Sequence, residues 1–203
     1  MPNTDKILAA AGQEFAQRGY AASSLSAIAG HLGLTKGALV RKFPTKADLA
    51  RGVIATLRAV IEDKRVEANA VYPQSGLRQL MHFIYSVGTH TKDNRQLQAA
   101  IVLFTDRTSP VFEGLDIYTD WTTALSSFLR NAQKANEIDT SRDARELAEY
   151  IFLINTGEAV FQPRRYTGPQ LQTLHFLRLA LRGLGAREID MITTEVIESA
   201  SNA

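Results

Sequence analysis

Residues 23–49 read SSLSAIAGHLGLTKGALVRKFPTKADL, two helical patterns joined at Gly33 and closed by Phe43-Pro44. Neither pattern is long enough to hold a helix in water alone, because nucleating a helix fixes several residues for a single hydrogen bond. The pair must therefore bury a shared face. Leu25, Ile28, Ala29 and Leu32 recur at i, i+3, i+4 and i+7 and line one stripe of a first short helix. Ser24 can cap that helix by accepting from an unpaired amide of its first turn. Gly33 has no β-carbon and can leave the helix through positive φ at little steric cost. Thr35 can cap the second helix, with Ala38, Leu39 and Phe43 facing inward and Lys36, Gly37, Val40, Arg41 and Lys42 outward. Two short helices about a glycine turn, the second with a basic outer face, are the pattern of a helix-turn-helix, whose second helix enters the DNA major groove N-terminus first.

The outward residues suit that use. Lys36, Arg41 and Lys42 can neutralise phosphates or donate to guanine edges, Val40 can touch a thymine methyl, and Gly37 permits close backbone approach. Ser24, Ser26 and Thr35 complete the candidate contacts on this stretch. Thr45-Lys46-Ala47-Asp48 has the spacing of a capping box that opens a further helix. Lys46 sits in the first turn of that helix, where its charge and the free amides can hold a phosphate.

Charge is distributed unevenly along the chain. The net value of +2 says little, but residues 1–52 hold Lys6, Arg18, Lys36, Arg41, Lys42, Lys46 and Arg51 against only Asp5, Glu14 and Asp48. A basic module on a mildly acidic body is expected of a protein with one nucleic-acid-binding end. With 203 residues, 45% of them hydrophobic, the chain can bury a sizeable core. It has no cysteine, which excludes disulfides, thiol catalysis and cysteine-ligated metals. The absence of a long apolar run and of a signal-peptide pattern predicts a cytoplasmic protein without membrane association.

The remaining periodicity is helical throughout. A first helix is expected from Thr4 or Asp5, carrying Ile7, Leu8, Ala11 and Phe15 inward and ending at Gly19. After the capping box a long helix runs to about Asn69. Further helices are expected from Leu77 to about His90, over residues 95–106, and along a stripe of Phe112, Leu115, Tyr118, Trp121, Leu125, Phe128 and Leu129 that ends near Asn136. Another spans about Arg142 to Phe161, a loop covers Gln162 to Pro169, and two more helices follow, from Gln170 to Arg182 and from Ala186 to Ser199. No strand alternation occurs. The expected fold is all-α with about nine or ten helices: a three-helix helix-turn-helix domain over residues 1–52, and a ligand-binding and dimerisation bundle over residues 53–203. The segments around Tyr150–Ile154 and Leu174–Leu184 are apolar on more than one face, which fits either a central core helix or a subunit interface. A homodimer matches the two half-sites that a helix-turn-helix protein usually reads.

The order Ile7-Leu8-Ala9-Ala10, Phe15, Gly19-Tyr20, Ser24, Ile28-Ala29, Gly33-Leu34-Thr35-Lys36-Gly37-Ala38-Leu39, Phe43, Lys46, Leu49 resembles the N-terminal domain of the tetracycline-repressor (TetR) family. The resemblance covers about residues 5–52. It implies a homodimeric one-component regulator with two major-groove reading heads and a ligand cavity in the helical body. Where the family has a Tyr and, two residues on, a His before the Phe, this chain has Val40-Arg41-Lys42, which exchanges an oriented phosphate contact for less directional cationic grip. The body resembles the γ-butyrolactone receptors of antibiotic-producing actinomycetes in Phe43-Pro44-x-Lys46-x-x-Leu49-Ala50, a lone Trp121 on a helix leading to Ile138-Asp139, and Leu181-Arg182-Gly183-Leu184. In that subgroup the tryptophan lines the signal pocket. By burial tendency alone, a single Trp on an apolar stripe is equally at home in a core.

Catalytic constellations are missing from the sequence. His31, His82, His90 and His175 have no metal-ligand spacing, and Glu146, Glu149 and Glu158 fit a solvated helix face better than a catalytic pair. No enzyme activity, cofactor or metal is expected. Asn155, Thr156 and Glu158 interrupt an apolar helix, so they either line a cavity or bond across helices. The sequence thus predicts a repressor released from double-stranded operator DNA when a small γ-butyrolactone-like or other apolar effector enters the body. Phe83, Val87, Phe104, Trp121, Leu125, Phe152 and Thr156 are the candidate pocket walls. The alternative is a DNA-binding dimer of the same fold whose body is a protein-interaction scaffold with no small-molecule inducer.

Overall fold

The computed structural model describes residues 3–92, 94–111, 116–165 and 171–201, with the backbone alone for 158–165, 171–173 and 201. Ten α-helices follow one another: α1 (Thr4–Ala22), α2 (Leu25–His31), α3 (Lys36–Val40), α4 (Lys46–Val71), α5 (Gly76–Lys92), α6 (Arg95–Thr105), α7 (Asp116–Lys134), α8 (Ala144–Arg165), α9 (Leu171–Gly183) and α10 (Ile189–Ser201). No strand occurs among the described residues. Phe112 and Leu115, expected at the head of the seventh helix, lie outside them.

Packing divides the chain into two compact units, one of Met1–Val60 with Thr91–Ile117, the other of Ile61–His90 with Tyr118–Ala203. In the first, Ile7, Ala11 and Phe15 of α1, Ile28 of α2, Leu39 of α3 and Leu49 of α4 are wholly buried. Each of these positions is one that spacing predicts to face inward. α6 joins this core through Leu97, Ala100 and Leu103, and α1 lies directly against it. At that crossing a β-carbon on Gly12 would stand 3.1 Å from Gln96 Cα. A buried carboxylate ties α1 to α2: Glu14 Oε2 meets His31 Nε2 at 3.1 Å, and Arg18 Nε lies 3.6 Å from Oε1.

Gly19 breaks α1 where the sequence expects the helix to end. That residue takes φ 71°, ψ 174°, a kink that only glycine adopts cheaply, and one more turn follows to Ala22. α8 likewise runs past the expected loop start at Gln162 to Arg165. A proline forfeits one helical hydrogen bond, and since only Arg164 and Arg165 follow Pro163, the loss falls in the terminal turn.

In the second unit α5 and α7 cross with almost no separation. A β-carbon on Gly76 would come within 2.1 Å of Ala132 N and 2.2 Å of Phe128 O, so only glycine fits. Phe83 and Phe128 fill the space beside this crossing with ring centroids 5.5 Å apart. Glu137 caps the start of α5, one carboxylate oxygen accepting from Leu77 N–H at 3.0 Å and the other from the Ser75 hydroxyl. Arg78 grips Glu195 of α10 through two guanidinium nitrogens, at 2.7 and 3.1 Å.

Candidate nucleic-acid interface and body site

The helix-turn-helix is built by its own caps. Ser24 Oγ accepts from Ala27 N–H at 3.1 Å, Thr35 Oγ1 from Ala38 N–H at 3.2 Å, and Gly33 adopts φ 64° between them. Each capping hydroxyl uses a lone pair for the amide and keeps its own proton as a donor. At the start of α4, Thr45 N–H donates to Asp48 Oδ2 at 3.0 Å while Asp48 N–H donates to Thr45 Oγ1 at 3.1 Å, the reciprocal box expected from the sequence. The Thr45 hydroxyl holds the Asp48 carboxyl below the usual carboxylate range.

These caps leave one face of α3 outward. Leu39 is wholly buried, Ala38, Val40 and Phe43 are half-buried, and Lys36, Gly37, Arg41 and Lys42 are exposed beside Ser24, Ser26 and Thr35. Nearby cations are engaged differently, since Arg51 pairs with Asp48 at 3.0 Å and Arg58 with Asp116 at 3.4 Å. A β-carbon on Gly37 would meet no described atom within 4 Å, so nothing within the described chain requires glycine there.

Lys46 turns back onto the junction between α1 and α2. Its ammonium lies 2.6 Å from Tyr20 O, 2.9 Å from Ser23 O and 3.3 Å from Ala21 O, and 4.3 Å from the centroid of the Tyr20 ring. Three carbonyls match the three hydrogens of an ammonium. The same junction is held from α6, where Asp106 Oδ2 accepts from Tyr20 N–H at 3.0 Å. Asp106 is held below the usual carboxylate range, first by its hydrogen bond from the Thr108 hydroxyl, with help from the Thr108 and Tyr20 amides and the Lys46 charge, against opposing burial.

Of the seven expected pocket walls, six lie in the second unit, and Phe104 lies on α6 in the first. Aromatic rings converge around Trp121, with Phe83 5.4 Å and Phe152 6.4 Å away between centroids, and Tyr118 stands edge-on to Phe152 at 5.1 Å. Leu125 and Val87 are buried, and Thr156 is half-exposed. The Trp121 indole nitrogen is buried with no hydrogen-bond partner among the described residues. Asn155 takes a course not anticipated, donating to Ile151 O of its own helix at 2.8 Å; the side chain of Glu158 lies outside the described residues. A groove of about 400 Å³ opens elsewhere in the unit, between Tyr150 and Ile154 of α8 and Phe176, Leu179 and Ala180 of α9, and none of the seven expected residues lines it. Leu153 beside it is 67% exposed, an unusual burden of apolar surface for a helix in water.

Among the described residues no group of three or more His, Asp or Glu could hold a metal ion, and no helix is long and apolar enough to cross a membrane.

Residues 7–53 match the family of bacterial regulatory proteins of the tetR type. That match falls on α1 to α4, and the chain shares its all-α fold with solved structures. Similar solved structures include a γ-butyrolactone receptor (ArpA-like protein), 22% identical with a TM-score of 0.78, covering 97% of this chain and 96% of that one. Another concerns the control of antibiotic production by bacterial hormones, at 24% identity and a TM-score of 0.75 over 89% of this chain and 96% of the other. A third is the TetR family protein CprB from Streptomyces coelicolor in complex with its biological operator sequence, at 21% identity and a TM-score of 0.69, covering 95% and 94%. No curated protein matches the chain by sequence.

Proposed function

We propose that this protein is a dimeric transcriptional repressor that binds operator DNA through α2 and α3 and is released by a small, largely apolar molecule with a few polar groups, of the γ-butyrolactone type. The observation that carries the DNA reading is the outer face of α3, where Lys36, Arg41 and Lys42 stand exposed around a glycine that no described atom crowds. Lys36 and Arg41 meet phosphates or guanine edges, Val40 faces a thymine methyl, and the protons of the Ser24, Ser26 and Thr35 hydroxyls are donated to the backbone of the duplex. The effector reading rests on Trp121: a buried indole N–H without a partner is costly, and a ligand carbonyl oxygen supplies the missing acceptor inside a ring of aromatic surface. Likeness to a γ-butyrolactone receptor favours that class of molecule. The second copy covers the apolar groove and the exposed Tyr150, Leu153, Phe176 and Leu179 on α8 and α9.

The binding test uses the duplex that the wild-type protein enriches from a random-sequence library. Lys36→Ala and Arg41→Ala each weaken binding and flatten the plot of log affinity against log salt by about 0.9 for each phosphate no longer neutralised. Unchanged slopes in both variants overturn the assignment. Because Trp121 is the single tryptophan, its fluorescence reports directly on the body. Titrated butyrolactones quench or shift it and release the duplex in the same concentration range, whereas release with no change in emission moves the effector away from Trp121.

A further inference from the structure

The five residues between the kink of α1 and the start of α2 are held from two sides. Lys46 supplies one side, spending its ammonium on the carbonyls of Tyr20, Ala21 and Ser23. Asp106, the residue directly after α6, supplies the other. Its Oδ1 is occupied by the amide and hydroxyl of Thr108, at 2.9 and 2.7 Å, which fixes the carboxylate within its own turn. Its Oδ2 is thereby presented to a single long-range donor, Tyr20 N–H at 3.0 Å. Tyr20 is thus gripped at its amide by an anion and at its carbonyl by a cation, and its ring stacks on Phe15 at 5.9 Å. Immediately beyond lies Ser24, the residue that sets where α2 begins.

We propose that Asp106 is a positioning residue for DNA recognition, clamping Tyr20 together with Lys46 so that α2 and α3 leave the junction in the orientation the major groove requires. Neither side chain touches DNA in this assignment. The inference rests on the DNA-binding reading above. It gives Lys46 an internal role in place of a phosphate contact, because an ammonium with three carbonyl acceptors has no hydrogen left to donate. Loosening the clamp lets the reading helices populate orientations that cannot dock, and apparent affinity falls in proportion to the competent fraction that remains.

Salt dependence separates positioning from phosphate binding. Asp106→Ala binds the enriched duplex about tenfold more weakly, the result of a competent fraction near one tenth, with an unchanged salt slope. Lys46→Met weakens binding, again without the drop of about 0.9 that removing a phosphate-neutralising cation gives. Active-site titration against the duplex keeps any loss of folded protein out of the affinity, and hydrogen exchange at Tyr20 N–H speeds up in Asp106→Ala without DNA present. If Asp106→Ala does not fold, Thr108→Val replaces it, with a two- to threefold loss expected by the same fractional rule and faster exchange at Tyr20. Wild-type affinity in the Asp106→Ala or Thr108→Val variant, or a lower slope for Lys46→Met, overturns the clamp. A wild-type protein that enriches no duplex is a different outcome, removing the DNA-binding reading and the clamp with it.

Discussion

At the helix starts of the N-terminal unit each capping atom finds its partner three residues away: Ser24 with Ala27, Thr35 with Ala38, Thr45 with Asp48. The buried Glu14 is matched there by His31 and approached by Arg18. Inside the second unit, Trp121 Nε1, His82 Nδ1 and the Tyr72 hydroxyl are buried with no partner among the described residues. An unmet buried polar atom costs about 1–3 kcal/mol. The first unit leaves one such atom, Glu14 Oε1, with only the Arg18 charge 3.6 Å away, and turns its exposed cations outward. The second keeps hydrogen-bonding capacity unused in its interior, where a bound molecule can complete it.

Two glycines give the largest tests of this contrast. Gly76 is locked by the backbone of α7, so Gly76→Ala forces the α5–α7 crossing apart and lowers stability by about 3 kcal/mol, read by thermal or urea unfolding. A loss near zero shows that the body is loosely packed and breaks the contrast. Gly37 is the opposite case. With no described atom near its β-carbon position, Gly37→Ala raises stability by about 0.5–1 kcal/mol through helix propensity. The same substitution lowers operator affinity, since the methyl group stands between the backbone and the duplex. A variant that is more stable and binds equally well removes Gly37 from the contact surface.

The smallest effect is in acid. The Asp106 carboxyl is held below its ordinary value of 3.8. A group with a depressed folded pKa contributes stability that is fully present above the unfolded value and lost as pH falls through the folded one. The contribution of Asp106 is thus constant at neutral pH and disappears below about pH 4, the ordinary carboxylate range. Asp106→Asn unfolds with a shallower dependence on pH in that window, measured by circular dichroism during acid titration, and an unchanged profile removes the folded-state interaction.

What could be read from the sequence follows the reach of each interaction. The Ser24, Thr35 and Thr45 caps, the left-handed Gly33 and the inward set Ile7, Ala11, Phe15, Ile28 and Leu39 all depend on neighbours within a turn or two, and spacing alone locates them. The bond from Tyr20 to Asp106 joins positions 86 residues apart, and the packing of α6 on α1 spans a similar stretch, so no local pattern announces either. Lys46 is legible as a cation in a first turn, but its hydrogen bonds to Tyr20 and Ser23 are not, because those carbonyls belong to a junction 23 to 26 residues earlier. Asn155 looked like a cavity or cross-helix group, but an amide in a helix has a nearer acceptor one turn back. The groove on α8 and α9 was visible only as apolar excess, since its shape depends on how two helices meet.

The two capping hydroxyls also make the motif observable. Ala27 and Ala38 each hand an amide proton to an oxygen that stands at the protein surface. When that oxygen gives its own hydrogen to a phosphate it becomes a better acceptor, and the attached amide proton feels the change. Those two backbone resonances, one at each end of the turn, therefore form a pair of built-in indicators. Followed together in a labelled sample, they report whether both short helices engage a duplex at once or one lands before the other.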